Sequence, residues 1–125
     1  MQRFTELLVW KRSHAAVLEV YRATARFPSE ERFGLTSQLR RAMLSVPTNI
    51  AEGSKRLGRQ DYARFLNVAE GSLAEAEYLL MVSADLGYLQ SERASKLGKE
   101  LTEIARMLSA LRKKVAGESI ESRER

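Results

Sequence analysis

The sequence predicts an all-α protein built as an antiparallel up-down-up-down four-helix bundle with a kinked second helix. Three observations predict it. Both prolines, Pro28 and Pro47, lie in the first half of a 125-residue chain. Long stretches carry apolar residues at three- and four-residue spacing and none alternates with the two-residue period of a half-buried strand. The expected connections at 58–60 and 87–91 are so short that consecutive helices must be antiparallel neighbours.

Helix one is expected from about Thr5 to Arg26, with Leu7, Trp10, Val17, Leu18 and Tyr21 as its apolar stripe. It should end where Pro28 restricts Phe27. Residues 27–35 form the longest connection, after which Thr36 or Ser37 could cap a second helix reaching about Leu57. The stripe of helix two passes through Leu39, Ala42, Met43, Val46, Ile50 and Leu57. Pro47 lacks an N–H and crowds the carbonyl of Met43, so a kink is expected there, or else two shorter helices.

Helix three follows Gly58, with Asp61 placing negative charge near its positive end. Its stripe is Phe65, Leu66, Ala69, Leu73, Ala76, Leu80 and Leu86, and Gly87 is its natural stop. Ser91 can cap helix four. There Ala94, Leu97, Leu101, Ile104, Leu108, Leu111 and Val115 step alternately by three and four, the strongest periodic signal in the chain. The bundle domain is therefore placed at residues 1–116, and the charge-dense residues 117–125 are expected to form a flexible tail.

Five consecutive apolar residues, Tyr78 to Val82, cover the full circumference of helix three, more than one core-facing stripe requires. Leu7 to Trp10 do nearly the same on helix one. Extra apolar surface of this kind predicts contact with another copy, a homo-oligomer; isolated exposed side chains on a monomer are the simpler alternative.

Composition excludes several chemistries. Without cysteine there are no disulfides, thiolate metal sites or cysteine nucleophiles, and the expected location is the cytoplasm. Charges interrupt every apolar stretch near the N-terminus, so neither a signal peptide nor a membrane span is expected. His14, the one histidine, has no partner spacing and is given no role. Glu70, Glu77 and Asp85 lack the Glu-x-x-His pairs that a bundle metal centre uses, so no metal is expected. Gly53 and Gly71 stand in no phosphate-loop pattern, and close helix packing is the expected reason for both. With no nucleophile beside a base and no divergent carboxylate pair, the expectation is a protein that is not an enzyme and carries no cofactor.

Charge is segregated along the chain, whose net value is +5. Residues 36–64 hold Arg40, Arg41, Lys55, Arg56, Arg59 and Arg64 against two carboxylates. Residues 65–90 hold four carboxylates and no cation, and helix four returns to positive, ending in Arg112, Lys113 and Lys114. These nine cations are the candidate surface for RNA, DNA or an acidic protein partner. Such contacts would neutralise phosphates and position the nucleic acid rather than read its sequence. A solvated helix face is the plainer explanation for any one of them.

The segments Phe33-Gly-Leu-Thr-Ser-Gln-Leu-Arg-Arg-Ala42 and Ser45-Val-Pro-Thr-Asn-Ile-Ala-Glu-Gly53 resemble the signature of the 23S rRNA intervening-sequence four-helix-bundle proteins. Leu8-Val-Trp10, Phe65-Leu66, Ala69-Glu-Gly-Ser-Leu73 and Leu86-Gly-Tyr-Leu89 extend the resemblance over nearly the whole chain to Val115. That family is similar to the accessory variability determinant of diversity-generating retroelements. The resemblance implies a basic pentamer that binds a reverse transcriptase and nucleic acid, a real kink at Pro47, and structural polar contacts for Asn49 and Glu52. It leaves open whether the chain is of the rRNA-encoded or the retroelement branch.

Overall fold

In the computed structural model, which describes residues 3–117, four helices account for most of the chain and no strand occurs among the described residues. The helices are α1 (Leu8–Thr24), α2 (Leu35–Ser54), α3 (Arg59–Asp85) and α4 (Ser91–Ala116). Short 3-10 turns at Phe4–Glu6 and Ser29–Glu31 precede α1 and α2. All but the first residue of the expected tail lies outside the described residues. No described helix is long and apolar enough to cross a membrane.

The four helices pack as a bundle around one core, in which Val20, Met43, Val46, Ile50, Leu66, Leu101, Ile104 and Leu108 are fully buried. α2, α3 and α4 present the stripes that their periodicity dictates, except at Phe65, which is half-buried outside the core beneath Arg56 and Arg64, and at two helix ends. Leu57 lies beyond the end of α2 and is fully exposed, and Leu86, at the C-cap of α3, is largely exposed. Both follow the last helical turn, where the chain has already left the axis that defines the stripe.

α1 differs more from its expected face. Its buried residues are Val9, Ser13, Ala16, Val17, Val20, Ala23 and Thr24, while Leu18 (41%) and Tyr21 (39%) are exposed. The face that α1 buries is made mostly of small residues. The hydroxyls on it are satisfied within the helix: Ser13 Oγ donates to the Val9 carbonyl and Thr24 Oγ1 to that of Val20, both at 2.7 Å.

Helix ends also depart from the expected caps. α2 begins at Leu35, ahead of Thr36 and Ser37, and the carboxylate of Glu31 takes the capping role by accepting the Leu35 N–H at 3.2 Å. Ser91 is the first residue of α4 rather than its cap, a position held by Gln90. At the end of α3, Gly87 adopts φ +79°, the left-handed conformation that stops a helix at little cost only for glycine.

α2 continues through Pro47 as one helix, so the alternative of two shorter helices does not hold. Pro47 deprives the Met43 carbonyl of its usual donor. The next turn is reinforced by side chains: Thr48 Oγ1 donates to the Leu44 carbonyl and Asn49 Nδ2 to that of Ser45, each at 2.8 Å. Asn49 Nδ2 also reaches Ser45 Oγ, which in turn pairs with Ser72 Oγ of α3 at 2.8 Å. Asn49 thus makes the polar contacts expected beside Pro47, whereas the Glu52 side chain is exposed.

Candidate nucleic-acid interface

The nine predicted cations fall into two groups at opposite ends of the bundle. Arg40 and Arg41 lie in the first turns of α2, about 20 Å along the helix from its C-terminal turn. Arg40 is tied to the end of α1: its Nε donates to Thr24 Oγ1 at 2.7 Å, its Nη2 to the Tyr21 carbonyl at 3.2 Å, and its guanidinium sits 4.6 Å from the Tyr21 ring centre. These bonds satisfy carbonyl and hydroxyl groups at a helix C-terminus, so Arg40 is a structural residue. Arg41 is exposed.

The other seven collect where the end of α2, the start of α3 and the end of α4 meet. Arg59 fastens this junction, its Nε donating to the Val115 carbonyl at 3.0 Å. Arg112 of α4 pairs with Glu70 of α3, and both side chains are only about a quarter exposed. Arg59 and Arg112 therefore hold helices together as well as adding charge.

Arg56 and Arg64 are held differently. Both guanidiniums lie over the ring of Phe65, at 4.5 and 4.8 Å from its centre. Both also face one carboxylate: Arg64 Nη2 is 2.8 Å from Asp61 Oδ1, and Arg56 Nε is 3.8 Å from Asp61 Oδ2. Lys55 and Lys114 are exposed and Lys113 half-exposed beside them. At this end seven cations outnumber three carboxylates, Glu52, Asp61 and Glu70. The first turn of α3 adds backbone N–H groups, since Gly58 at its N-cap supplies no side-chain cap.

Gly53 is what allows this junction to close. A Cβ at Gly53 would lie 2.7 Å from Phe65 Cβ and 3.0 Å from Tyr62 Cδ1, so the backbones of α2 and α3 meet there without room for a side chain. Gly71 is not a second such contact. Nothing lies within 4 Å of its Cβ position, which overturns the expectation that close packing explains both glycines.

A groove of about 980 Å³ runs between α1 and α4, floored by Ala15, Ala16 and Leu97. Its charges pair across the seam: Arg12 with Glu100 and Glu103, Arg93 with Glu19. Bonds from Arg22 and then Arg93 hold the Glu19 carboxyl below its ordinary range, and a bond from Arg106, with Arg12 nearby, does so for Glu103. Among the described residues no cluster of three or more His, Cys, Asp or Glu could hold a metal ion. His14 is exposed and stacks on Trp10, the ring centres 5.2 Å apart.

Sequence reasoning found the cations of this end but missed Asp61 as their shared counter-charge and Phe65 as their bed. The Asp61–Arg64 half was legible as an i, i+3 pair. The Arg56 half crosses the turn between two helices and carries no periodic signal.

No curated protein matches the chain by sequence. A solved structure from Bacteroides thetaiotaomicron, described as a protein with unknown function from the S23 ribosomal protein family, shares its fold. It has a TM-score of 0.76 at 24% identity and covers 85% of this chain and 99% of its own. The family model for 23S rRNA-intervening sequence protein matches residues 5–110, and with the helical architecture and the Pro47 segment that span contains, the chain belongs to that family.

Proposed function

We propose that this protein is a cytoplasmic, non-enzymatic adaptor that self-associates and binds nucleic acid through the basic end of its bundle. The observation that carries this is the convergence of Lys55, Arg56, Arg64, Lys113 and Lys114, from three helix ends, around one junction. Several phosphates can be neutralised there at once, which gives affinity with little sequence preference. Arg40 and Arg112 are partly committed to helix contacts and contribute mainly charge.

The up-down-up-down direction of the helices is supported by side-chain pairings that run oppositely along neighbours. Arg12 meets Glu100 while Glu19 meets Arg93; Ser45 meets Ser72 while Gly53 meets Phe65. Self-association is supported by apolar side chains on outward faces: Leu8 and Leu18 on α1, Tyr78 and Met81 on α3. α1 and α3 make no contact with each other among the described residues, so these faces point apart. Unlike faces on opposite sides join head to tail, which gives a ring where the rotation closes, rather than a two-fold dimer. Five subunits and a reverse-transcriptase partner are what the family resemblance adds to this picture.

The test is filter binding of RNA and duplex DNA across a salt series. Retention that falls steeply between about 50 and 200 mM salt is expected, and reversing charge at Lys55, Lys113 and Lys114 should remove it while Arg41→Glu changes it little. No retention at low salt rejects the proposal. A protein-binding scaffold without nucleic-acid contact is the second reading, favoured by Tyr78 (63% exposed) and Met81 (62%). It predicts that Tyr78→Glu abolishes capture of a protein partner and that the wild-type protein retains no RNA even at low salt.

A further inference from the structure

We propose that Arg56 and Arg64 form a preorganised phosphate clamp and that Asp61 is its internal counter-charge, displaced when a nucleic-acid phosphate enters; this rests on the basic end being the nucleic-acid surface.

Asp61 addresses the two arginines with different oxygens, Oδ2 toward Arg56 and Oδ1 toward Arg64. It therefore occupies the position between two guanidiniums that a bridging anion would take. A phosphate has the better chemistry for that position, because its oxygens match the planar fork of a guanidinium and it carries more charge than a carboxylate. Both arginines also rest on Phe65, which does not depend on Asp61. When the carboxylate swings away, the cations keep their places, so little ordering is lost on binding.

The internal pairs are weak enough to be exchanged. The side chains of Arg56, Asp61 and Arg64 are 47%, 42% and 63% exposed, and the Arg56 contact is long, so water and salt screen them. The Glu70–Arg112 pair nearby is far more enclosed and would not open in the same way. Asp61 also sits in the first turn of α3, where its charge complements the helix end. A phosphate arriving at the same place complements it equally well. In the free protein Asp61 thus masks two of the exposed cations, which lowers the attraction for weakly charged anions and reserves the site for polyanions.

The experiment measures binding of the full chain to a fluorescein-labelled single-stranded RNA by anisotropy in a salt series, for wild type, Asp61→Asn, Asp61→Glu and the double variant Arg56→Ala/Arg64→Ala. Circular dichroism confirms that each variant is folded. Asp61→Asn is expected to tighten binding by about three- to tenfold at low salt with an unchanged salt slope, because the same two arginines meet phosphate once Asp61 is displaced in wild type. Asp61→Glu, which keeps the charge, should behave as wild type. In the background of the two arginine substitutions, Asp61→Asn should have no effect.

Unchanged affinity in Asp61→Asn, with wild type still binding, overturns the clamp and leaves the nucleic-acid surface standing. No binding by wild type or any variant overturns both. Inorganic phosphate added at matched ionic strength should compete better than chloride; equal competition argues against a phosphate site. A poly-glutamate probe tightened as much as RNA by Asp61→Asn would assign the arginines to an acidic protein and overturn the proposal.

Discussion

Arg12 of α1 grips Glu100 of α4 with two parallel hydrogen bonds, Nη2 to Oε1 at 2.5 Å and Nε to Oε2 at 2.9 Å. The residues are 88 positions apart, and their contact closes the bundle where the helix pair is least intimately packed and an open groove runs beside it. A fork-shaped pair of this kind is the geometry in which a partly exposed ion pair contributes measurably. Arg12→Ala is expected to destabilise the fold modestly and to speed amide exchange in α1 more than in α2 or α3. Urea unfolding with hydrogen exchange checks both; equal exchange in all helices would count against the role assigned to Arg12.

The two helix glycines give opposite predictions. Gly53→Ala forces a methyl into Phe65 and Tyr62 and should cost on the order of 1–3 kcal/mol. Gly71→Ala, exposed with open space around its Cβ position, should stabilise by about 0.5–1 kcal/mol through helix propensity alone. Thermal unfolding of the two variants side by side settles the difference in sign.

Acid should weaken the arginine-paired carboxylates Glu19 and Glu103 only toward the low end of the acid range. Glu19 and Glu103 are depressed by their arginine partners, so the folded state holds these carboxylates ionised below their unfolded range. Their contribution is present above the ordinary carboxylate value of about 4.3 and is lost as pH falls through the lower folded values. Stability measured from pH 6 to 3 should decline at the bottom of that window, and Glu19→Gln should flatten part of the decline.

Tyr88 ties the α3–α4 turn to the α1–α2 connection, its hydroxyl donating to Glu31 Oε2 at 3.1 Å while Glu31 Oε1 caps α2. That bond, with burial, raises the phenol above its ordinary range. The neutral phenol's contribution is therefore complete below about pH 10 and is lost as pH rises through the folded value. Tyr88→Phe should lower stability at pH 7 and remove this alkaline loss, both readable from denaturant midpoints.

Assembly is tested at the outward faces. Tyr78→Glu with Met81→Glu should shift the protein toward a smaller species in sedimentation, and Leu8→Glu with Leu18→Glu should do the same from the other side. If two unlike faces join, mixing the two double variants restores at most a dimer through the one intact pair of faces, whereas a two-fold contact predicts no recovery.

The sequence by itself determined the helices of this protein, because a 3.6-residue period is a local property and α2, α3 and α4 carry large aliphatic residues in step with it. Leu97, Leu101, Ile104 and Leu108 could be placed in the core from spacing alone. It also determined that cations concentrate near residues 55–64 and 112–114. Only the tertiary structure decided which face of α1 is buried, since Ser13, Ala16, Ala23 and Thr24 lie on it although none is a large apolar residue. It alone separated Arg40, Arg59 and Arg112, spent on neighbouring helices, from Arg56 and Arg64, which share Phe65 and Asp61. Charge counted along a chain is one-dimensional, whereas what a cation can bind depends on the partners that other helices bring to it, and those meet only when the bundle closes.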